Sequence, residues 1–179
     1  MGEGTVTVKR VALVGSGGSG KTTLSREMSS ITGLPIYHLD EIHWRPGWIE
    51  TPNEEFRPLQ KELAATDEWI IDGNYFNSYD VRFERADTVI VLSLPRRVCI
   101  ARVVLRVAKN WHRDVQAKGC PEHFDGEFLA WLWHYPRDVQ PLLDEALARH
   151  AHTLEIIELK TKREVRDYVR ALRHSTVGD

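Results

Sequence analysis

A glycine-rich segment near the start of the chain carries residue types suited to binding a nucleotide. Residues 15–22 read GSGGSGKT and fit the pattern G-x-x-x-x-G-K-[ST]. Glycines let the backbone wrap around phosphate oxygens with N–H groups pointing inward, and a following helix adds its positive N-terminal end. A flexible Gly/Ser turn would not account for the Lys-Thr pair, whose lysine reaches phosphate and whose threonine ligates Mg²⁺. The residues expected to bind ATP are Gly15, Ser16, Gly17, Gly18, Ser19, Gly20, Lys21, Thr22 and Thr23, with Lys21 also catalytic and Thr22 also on Mg²⁺.

Two acidic residues follow short apolar runs that we interpret as strands. Asp72 comes directly after Trp-Ile-Ile, and Asp40 comes after Tyr-His-Leu. Ligands of an open parallel sheet bind at the carboxyl ends of its strands. Asp72 resembles a Walker B carboxylate that holds Mg²⁺ directly or through water, whereas Asp40 is expected either to hold Mg²⁺ or to accept a proton. The alternative for each residue is a helix N-cap or a turn.

Arginines lie on and beyond a helix expected at 96–108. Arg102 and Arg106 are four residues apart and therefore share one face of that helix. Arg113 lies in the polar segment 110–126, which we expect to close over ATP as a lid and exclude water. Because guanidinium groups stabilise the charge of a transferring phosphoryl group, we expect Arg102 and Arg106 to contact the nucleotide, and Arg106 and Arg113 to act in catalysis. A solvated cationic helix face is the alternative.

Residues near the two acidic positions are the candidates for an acceptor site, within an excursion at about 44–65 and after Asp72. Trp44 begins the run WRPGW, whose rings either stack on the acceptor or cover the core. Arg82 is expected to bind an anionic acceptor. The full set of expected acceptor contacts is Asp40, Trp44, Arg57, Asn74, Tyr75 and Arg82.

The elements that must position these residues alternate between strands and helices. Strands separated by helices imply a parallel sheet covered on both faces, and hence an α/β fold. The final helix is expected to start at Thr161 with a capping box. Hydrophobic patterning predicts strands at 6–14, 35–39, 69–71, 88–94 and 152–159, and helices at 21–32, 52–65, 96–108 and 128–150, the last interrupted near Pro136 and Pro141.

Length and composition limit the classes of protein that remain. The chain has 179 residues, of which 42% are hydrophobic, so we expect a single domain over 1–179 with a sizeable core. A net charge of -2 argues against direct binding to nucleic acid. No stretch approaches the ~20 apolar residues of a membrane helix, no signal peptide is evident, and the two cysteines are far apart. These features indicate a cytoplasmic monomer or homodimer without membrane attachment.

Several motifs resemble known families. The phosphate loop, Asp72-Gly73, the arginine pair and the lid-like insert resemble adenylate kinase and related small-molecule kinases. In addition, the segments 15–22, 37–40 (YHLD), 44–48 (WRPGW), 69–75 (WIIDGNY) and 119–122 (GCPE) resemble the topology modulation protein family. This second resemblance covers nearly the whole chain.

The resemblance implies a fold and further contacts. The implied fold is a three-layer α/β/α P-loop NTPase of the nucleoside-monophosphate-kinase type, with a five-stranded parallel sheet of order 2-3-1-4-5. It also implies that Arg102 packs on adenine, that Arg106 meets phosphate, and that Lys160 and Thr161 lie near the base. The family name suggests an effect on DNA topology.

One departure from adenylate kinases concerns the acceptor. Their Asp-Gly is followed by Phe-Pro-Arg, whose arginine binds the AMP phosphate, whereas Asp72-Gly73 is followed here by Asn74-Tyr75. Asp40 after the second strand is more like shikimate kinase. We therefore expect an ATP- and Mg²⁺-dependent kinase of a small acceptor such as a nucleoside, a nucleotide or another hydroxyl compound. One alternative is an ATP-binding regulatory protein that affects DNA topology. Another is a GTPase switch, although the sequence contains neither the Asp-x-x-G nor the Asn-Lys-x-Asp motif of that class.

Overall fold

The computed structural model describes residues 8–176, in which strands and helices alternate along the chain. Val6 and Thr7 of the first predicted strand lie outside the described residues. The strands are β1 (Arg10–Gly15), β2 (Ile36–His38), β3 (Trp44–Arg45), β4 (Ile49–Glu50), β5 (Trp69–Asp72), β6 (Thr88–Leu92) and β7 (Glu155–Leu159). The helices are α1 (Lys21–Thr32), α2 (Leu39–His43), α3 (Asn53–Ala64), a 3-10 helix (Phe76–Ser78), α4 (Tyr79–Phe83), α5 (Arg96–Lys109), α6 (Gly126–Asp138), α7 (Gln140–His150) and α8 (Lys162–Thr176).

Five of the strands form one parallel sheet in the order β2-β5-β1-β6-β7. Counted along the chain within this sheet, the order is 2-3-1-4-5, as the resemblance implied. β1 therefore has partners on both sides, and β5, β1 and β6 are almost entirely buried, which suits their continuous runs of Val, Ile and Leu. The predicted fold class is confirmed.

The core lies in two layers, one on each face of the sheet. Successive side chains of a strand point to opposite faces, so Val11 and Leu13 of β1 pack on one side and Ala12 and Val14 on the other. The first side is covered by α1 and α8, and the second by α3, α4 and α7. A smaller cluster joins α5 to α6. Among residues 8–176 we find no helix with the length and apolar character to cross a membrane.

Most predicted elements are present, and the missed ones are short. Helix α1 has its predicted bounds, because Gly33 takes a left-handed conformation (φ 77°) and ends it. The predicted helix 128–150 is divided at Val139, between its two prolines. The sequence did not reveal α2, α4 or the hairpin formed by β3 and β4, because helices of five residues and strands of two residues are too short to show a periodic pattern.

The β3–β4 hairpin packs against the lid, residues 110–126. Three hydrogen bonds join the two segments: Gly47 N–H to Gly119 O (2.8 Å), Trp48 Nε1 to Pro121 O (3.0 Å) and Cys120 Sγ to the hairpin carbonyl of Arg45 (3.2 Å). A Cβ on Gly119 would lie 2.7 Å from the Cβ of Pro46, so only glycine permits this approach. The two excursions predicted separately therefore form one ordered unit.

Candidate active site

The phosphate loop connects β1 to α1 and needs glycine at specific positions. Gly15, Gly18 and Gly20 have φ values of 141°, 74° and 105°, which L side chains rarely adopt. A Cβ at Gly15 would lie 2.5 Å from the carbonyl oxygen of Leu92, and one at Gly18 would lie 2.4 Å from that of Cys99. The loop is thus pressed against β6 and α5, which fixes its path.

Two cations hold the loop in shape. The Lys21 ammonium donates to the carbonyl oxygens of Gly15 (2.8 Å) and Ser16 (3.0 Å). Burial lowers the pKa of Lys21, while Asp40 and Asp72 act in the opposite direction. From α5, Arg102 Nη1 donates to Ser19 O (2.8 Å) and, at 3.3 Å, to the carbonyl of Gly18. Both side chains therefore lie where phosphate oxygens would enter the loop.

A cavity of about 660 Å³ opens in front of the loop, and we call it the nucleotide cavity. Its volume falls within the range of small-molecule sites. Gly15 and Ser16 do not line it; the Gly15 N–H faces Asn74 Oδ1 at 3.4 Å. The predicted residues that do line it are Gly17, Gly18, Ser19, Gly20, Lys21, Thr22, Thr23, Asp40, Arg102 and Arg106.

The structure places the two residues implied to lie near the base, Lys160 and Thr161, outside the lining of the nucleotide cavity. Lys160 is exposed and its ammonium pairs with Glu158 (2.8 Å), and Thr161 Oγ1 accepts the N–H of Glu164 (3.1 Å) as a helix cap. Neither lines the nucleotide cavity, whose wall is formed instead by Lys162 and, one turn on, Val165 and Arg166. The capping box places residues 160–161 ahead of the turn of α8 that faces the cavity.

Arg106 is held by the lid. Its Nε lies 2.9 Å from Oε1 of Glu122, an ion pair without hydrogen-bond geometry, and the Glu122 side chain is buried. Val115 and Gln116 of the lid line the nucleotide cavity. The structure does not bring Arg113 to the site, because its side chain is exposed and lines neither this cavity nor the one described below.

Asp72 is buried behind the cavity with two donors on one oxygen. Its Oδ2 accepts hydrogen bonds from Ser25 Oγ and from His38 Nδ1, each at 2.9 Å. The hydrogen bond to Asp72 raises the pKa of His38. His38 lines the nucleotide cavity and Asp72 does not. The sequence assigned His38 only to its strand, although the register that pairs residues 38 and 72 brings the two side chains together.

Of the three predicted Mg²⁺ ligands, Thr22 and Asp40 line the nucleotide cavity. Mg²⁺ is usually bound by one or two carboxylates together with substrate phosphates and water, so this pair fits a nucleotide-bound Mg²⁺. Residues 8–176 contain no cluster of three His, Cys, Asp or Glu side chains able to hold a metal by themselves. Asp72 accepts hydrogen bonds from Ser25 and His38 and does not line the nucleotide cavity.

Asp40 lies in the first turn of α2, one element later than the strand end predicted for it. The Tyr75 hydroxyl donates to Asp40 Oδ1 at 2.6 Å. Burial, with Asp40 alongside, raises the pKa of Tyr75, so the phenol stays a neutral donor. Tyr75, predicted to touch the acceptor, instead fixes the orientation of the carboxylate that does face the cavity.

A second cavity of about 670 Å³, which we call the hairpin cavity, lies between the hairpin, α3 and the lid. Trp44 lines it, as expected of an acceptor residue. Glu41 lines both cavities and so marks where they meet. The other residues around the hairpin cavity are Ile42, Arg45, Pro46, Thr51, Glu55, Leu59, Asp114, Lys118 and Gly119.

Arg82, expected at an anionic acceptor, is fully buried away from both cavities. Its Nη1 donates to Gly73 O (2.7 Å), its Nη2 approaches Tyr75 O (3.4 Å), and the guanidinium lies over the Tyr79 ring. Burial lowers the pKa of Arg82 to about 10. This arginine holds the chain after β5 and does not face a ligand.

Two further expected acceptor residues pair with other groups of the protein. Arg57 forms a two-pronged pair with Asp80 (3.1 and 2.7 Å) and donates to the carbonyl of Asn77. Asn74 Oδ1 accepts hydrogen bonds from two buried phenols, Tyr79 (2.6 Å) and Tyr135 (3.0 Å). Neither residue lines the nucleotide cavity or the hairpin cavity.

No family model matches this chain, and comparison with curated proteins finds no match. Solved structures do match. A shikimate kinase from Acinetobacter baumannii in complex with shikimate is 17% identical, with a TM-score of 0.54 over 93% of this chain and 91% of that one. A shikimate kinase from Bacteroides thetaiotaomicron is 16% identical, with a TM-score of 0.51 over 94% and 98% of the two chains.

A gluconokinase from Sinorhizobium meliloti 1021 is also similar, at 15% identity and a TM-score of 0.51 over 94% of this chain and 91% of that one. The chain has the three-layer α/β/α fold of P-loop small-molecule kinases. At identities this low, the structural similarity shows the fold and does not show the reaction.

Proposed function

We propose that the protein is an ATP- and Mg²⁺-dependent phosphotransferase that acts on a small hydroxyl acceptor. The observation that carries the proposal is one shared cavity: Lys21, Thr22, Asp40 and Arg102 all line it, in front of a phosphate loop. Phosphoryl transfer needs mainly positioning and compensation of charge, and these groups supply both.

Each of these residues has a distinct role in the proposed reaction. Lys21 exchanges its carbonyl partners for phosphate oxygens, and Arg102 and Arg106 neutralise charge from α5. Bound Mg²⁺, with Thr22 and Asp40 as its protein ligands, would offset phosphate charge. Alternatively, Asp40, which accepts a hydrogen bond from Tyr75, would accept the proton of the acceptor hydroxyl; either role requires an ionised carboxylate.

The proposal predicts that Lys21→Ala abolishes phosphoryl transfer. The reaction is followed as acceptor-dependent release of ADP from Mg²⁺-ATP across nucleosides, nucleotides, sugars and shikimate-like acids. Lys61→Ala is the control, because Lys61 is exposed on α3, lines neither cavity and should keep wild-type rates. Equal rates for wild type and Lys21→Ala would exclude this site as the source of any transfer.

A second candidate rests on the resemblance of several motifs to topology modulation proteins: an ATP-binding regulatory protein that affects DNA topology. A gel shift with duplex DNA distinguishes it: binding that is strong at low salt and lost at high salt would favour this candidate. The net charge of -2, together with basic groups gathered around the nucleotide cavity, favours the kinase.

A further inference from the structure

The hairpin cavity is placed to hold the acceptor. It adjoins the nucleotide cavity at Glu41, and the neighbouring Asp40 faces the nucleotide cavity from the same turn of α2. A compound in the hairpin cavity would thus present a hydroxyl close to the phosphate loop and its proton acceptor. At about 670 Å³ the space suits a single small ring or short chain.

Carboxylates outnumber cations in the walls of the hairpin cavity. Glu41, Glu55 and Asp114 line it, against Arg45 and Lys118. Arg45 is already in an ion pair with Glu55. A phosphate or carboxylate entering this space would meet a wall of net negative charge, at a Coulombic cost that grows as water is excluded.

The arginines that could bind an anion near the hairpin cavity already have partners within the protein. The two arginines that the sequence offered to an anionic acceptor are used internally, Arg57 on Asp80 and Arg82 on backbone carbonyls. Sites that bind carboxylate or phosphate rely on such guanidinium groups for two-pronged recognition. Arg26, on α1, lines the nucleotide cavity and not the hairpin cavity.

The remaining walls suit a polyhydroxyl compound. Trp44, Ile42 and Leu59 give an apolar surface for the carbon skeleton, and the Glu41 carboxylate, exposed at the junction, can accept hydrogen bonds from hydroxyl or ammonium groups. We infer that the hairpin cavity binds the acceptor, and that the acceptor is a polyol or amino polyol that carries no phosphate or carboxylate. This inference rests on the proposed function.

The test compares acceptors that share a carbon skeleton and differ in the charge of one substituent. Each skeleton is supplied in neutral, amino, carboxylate and phosphate forms, for example glucose, glucosamine, glucuronate and glucose 6-phosphate, with cyclitol and open-chain sets alongside. Acceptor-dependent ADP release gives kcat/KM for each form. For the skeleton used best, we expect the neutral or amino form to exceed both anionic forms by about tenfold or more, equivalent to ~1.4 kcal/mol.

The outcomes separate the inference from the proposed function. Transfer that is fastest to a carboxylate or phosphate form overturns the acceptor class and leaves the kinase standing. If ATP binds but no compound in any set is phosphorylated, the proposed kinase function is contradicted, and so is the inference that rests on it. Faster transfer to the amino form than to the neutral form identifies an ammonium contact, and the reverse order identifies hydroxyl recognition; either supports the inference.

A charge substitution locates the contact. Glu41→Gln should raise KM for the preferred acceptor by about tenfold with a smaller change in kcat, because it removes a charge-assisted hydrogen bond to the acceptor. Glu62→Gln is the matched control, since Glu62 is exposed on α3 and lines neither cavity. An unchanged KM in Glu41→Gln, with the control also unchanged, would show that the acceptor binds elsewhere.

Discussion

The orientation of the His38 side chain in the site depends on one hydrogen bond, to Asp72. This side chain sits at the end of β2, donates to the buried Asp72 and lines the nucleotide cavity, so an imidazole is fixed near the phosphate loop by a carboxylate behind it. The sequence predicts Asp72 as an acidic group at a strand end and as a ligand of Mg²⁺. One hydrogen-bond partner of Asp72 is His38, on a neighbouring strand. A single sequence does not show the register that pairs residues 38 and 72.

The His38–Asp72 pair gives a prediction for stability against pH. Asp72 raises the pKa of His38 in the folded protein above its ordinary value of 6.5, so protonated His38 stabilises the fold. That stabilisation is complete below the ordinary value and is lost as pH rises through the folded value. Urea unfolding of wild type and His38→Gln, without nucleotide, should therefore show a larger difference in free energy of unfolding at about pH 6 than at about pH 9.

The comparison with His38→Gln isolates this ionisation from other groups that titrate in the same range. Glu41 also raises the pKa of His38 and Arg26 lowers it, both by weaker interactions than the hydrogen bond to Asp72. A difference in unfolding free energy that stays constant or grows between the two pH values would contradict the pairing seen here.

At the scale of elements, the long helices and central strands could be predicted and the hairpin could not. The spacing of apolar residues and Gly33 predict helix α1, and an unbroken apolar run predicts β6. The hairpin has only two residues in each strand, and Trp48 within it takes a left-handed conformation (φ 61°). A non-glycine residue holds that conformation only where its surroundings compensate, here through the lid.

The contact between hairpin and lid predicts a coupled response. Trp48→Phe keeps an aromatic ring but removes the hydrogen bond from Nε1 to Pro121, worth about 1 kcal/mol. We expect amide hydrogen exchange to become faster in both segments, 44–50 and 110–126, because each is ordered by the other. Trp133→Phe is the control, since Trp133 is exposed on α6 and stacks with Arg96. Faster exchange confined to the hairpin would show that the lid is ordered independently.

At the scale of the whole molecule, a nearly neutral chain lines one cavity with an excess of cations. The net charge is -2, yet six Lys and Arg side chains line the nucleotide cavity against three carboxylates. The sequence predicted three of those cations, Lys21, Arg102 and Arg106, whereas Arg26, Lys162 and Arg166 were not predicted. α8 reaches the site only because β7 closes the sheet beside β6, a long-range arrangement.

This concentration of charge predicts that ATP binding weakens with salt. Exposed charges are screened over ~10 Å at 0.1 M ionic strength, so the dissociation constant for ATP should rise several-fold between about 0.05 and 0.5 M NaCl. Adenosine, which has no phosphate, should show little change. Arg166→Gln should flatten the dependence for ATP, whereas Arg163→Gln should not, because Arg163 pairs with Asp167 on α8 and does not line the cavity. Equal salt dependence for ATP and adenosine would mean that the cationic walls do not contact the phosphates.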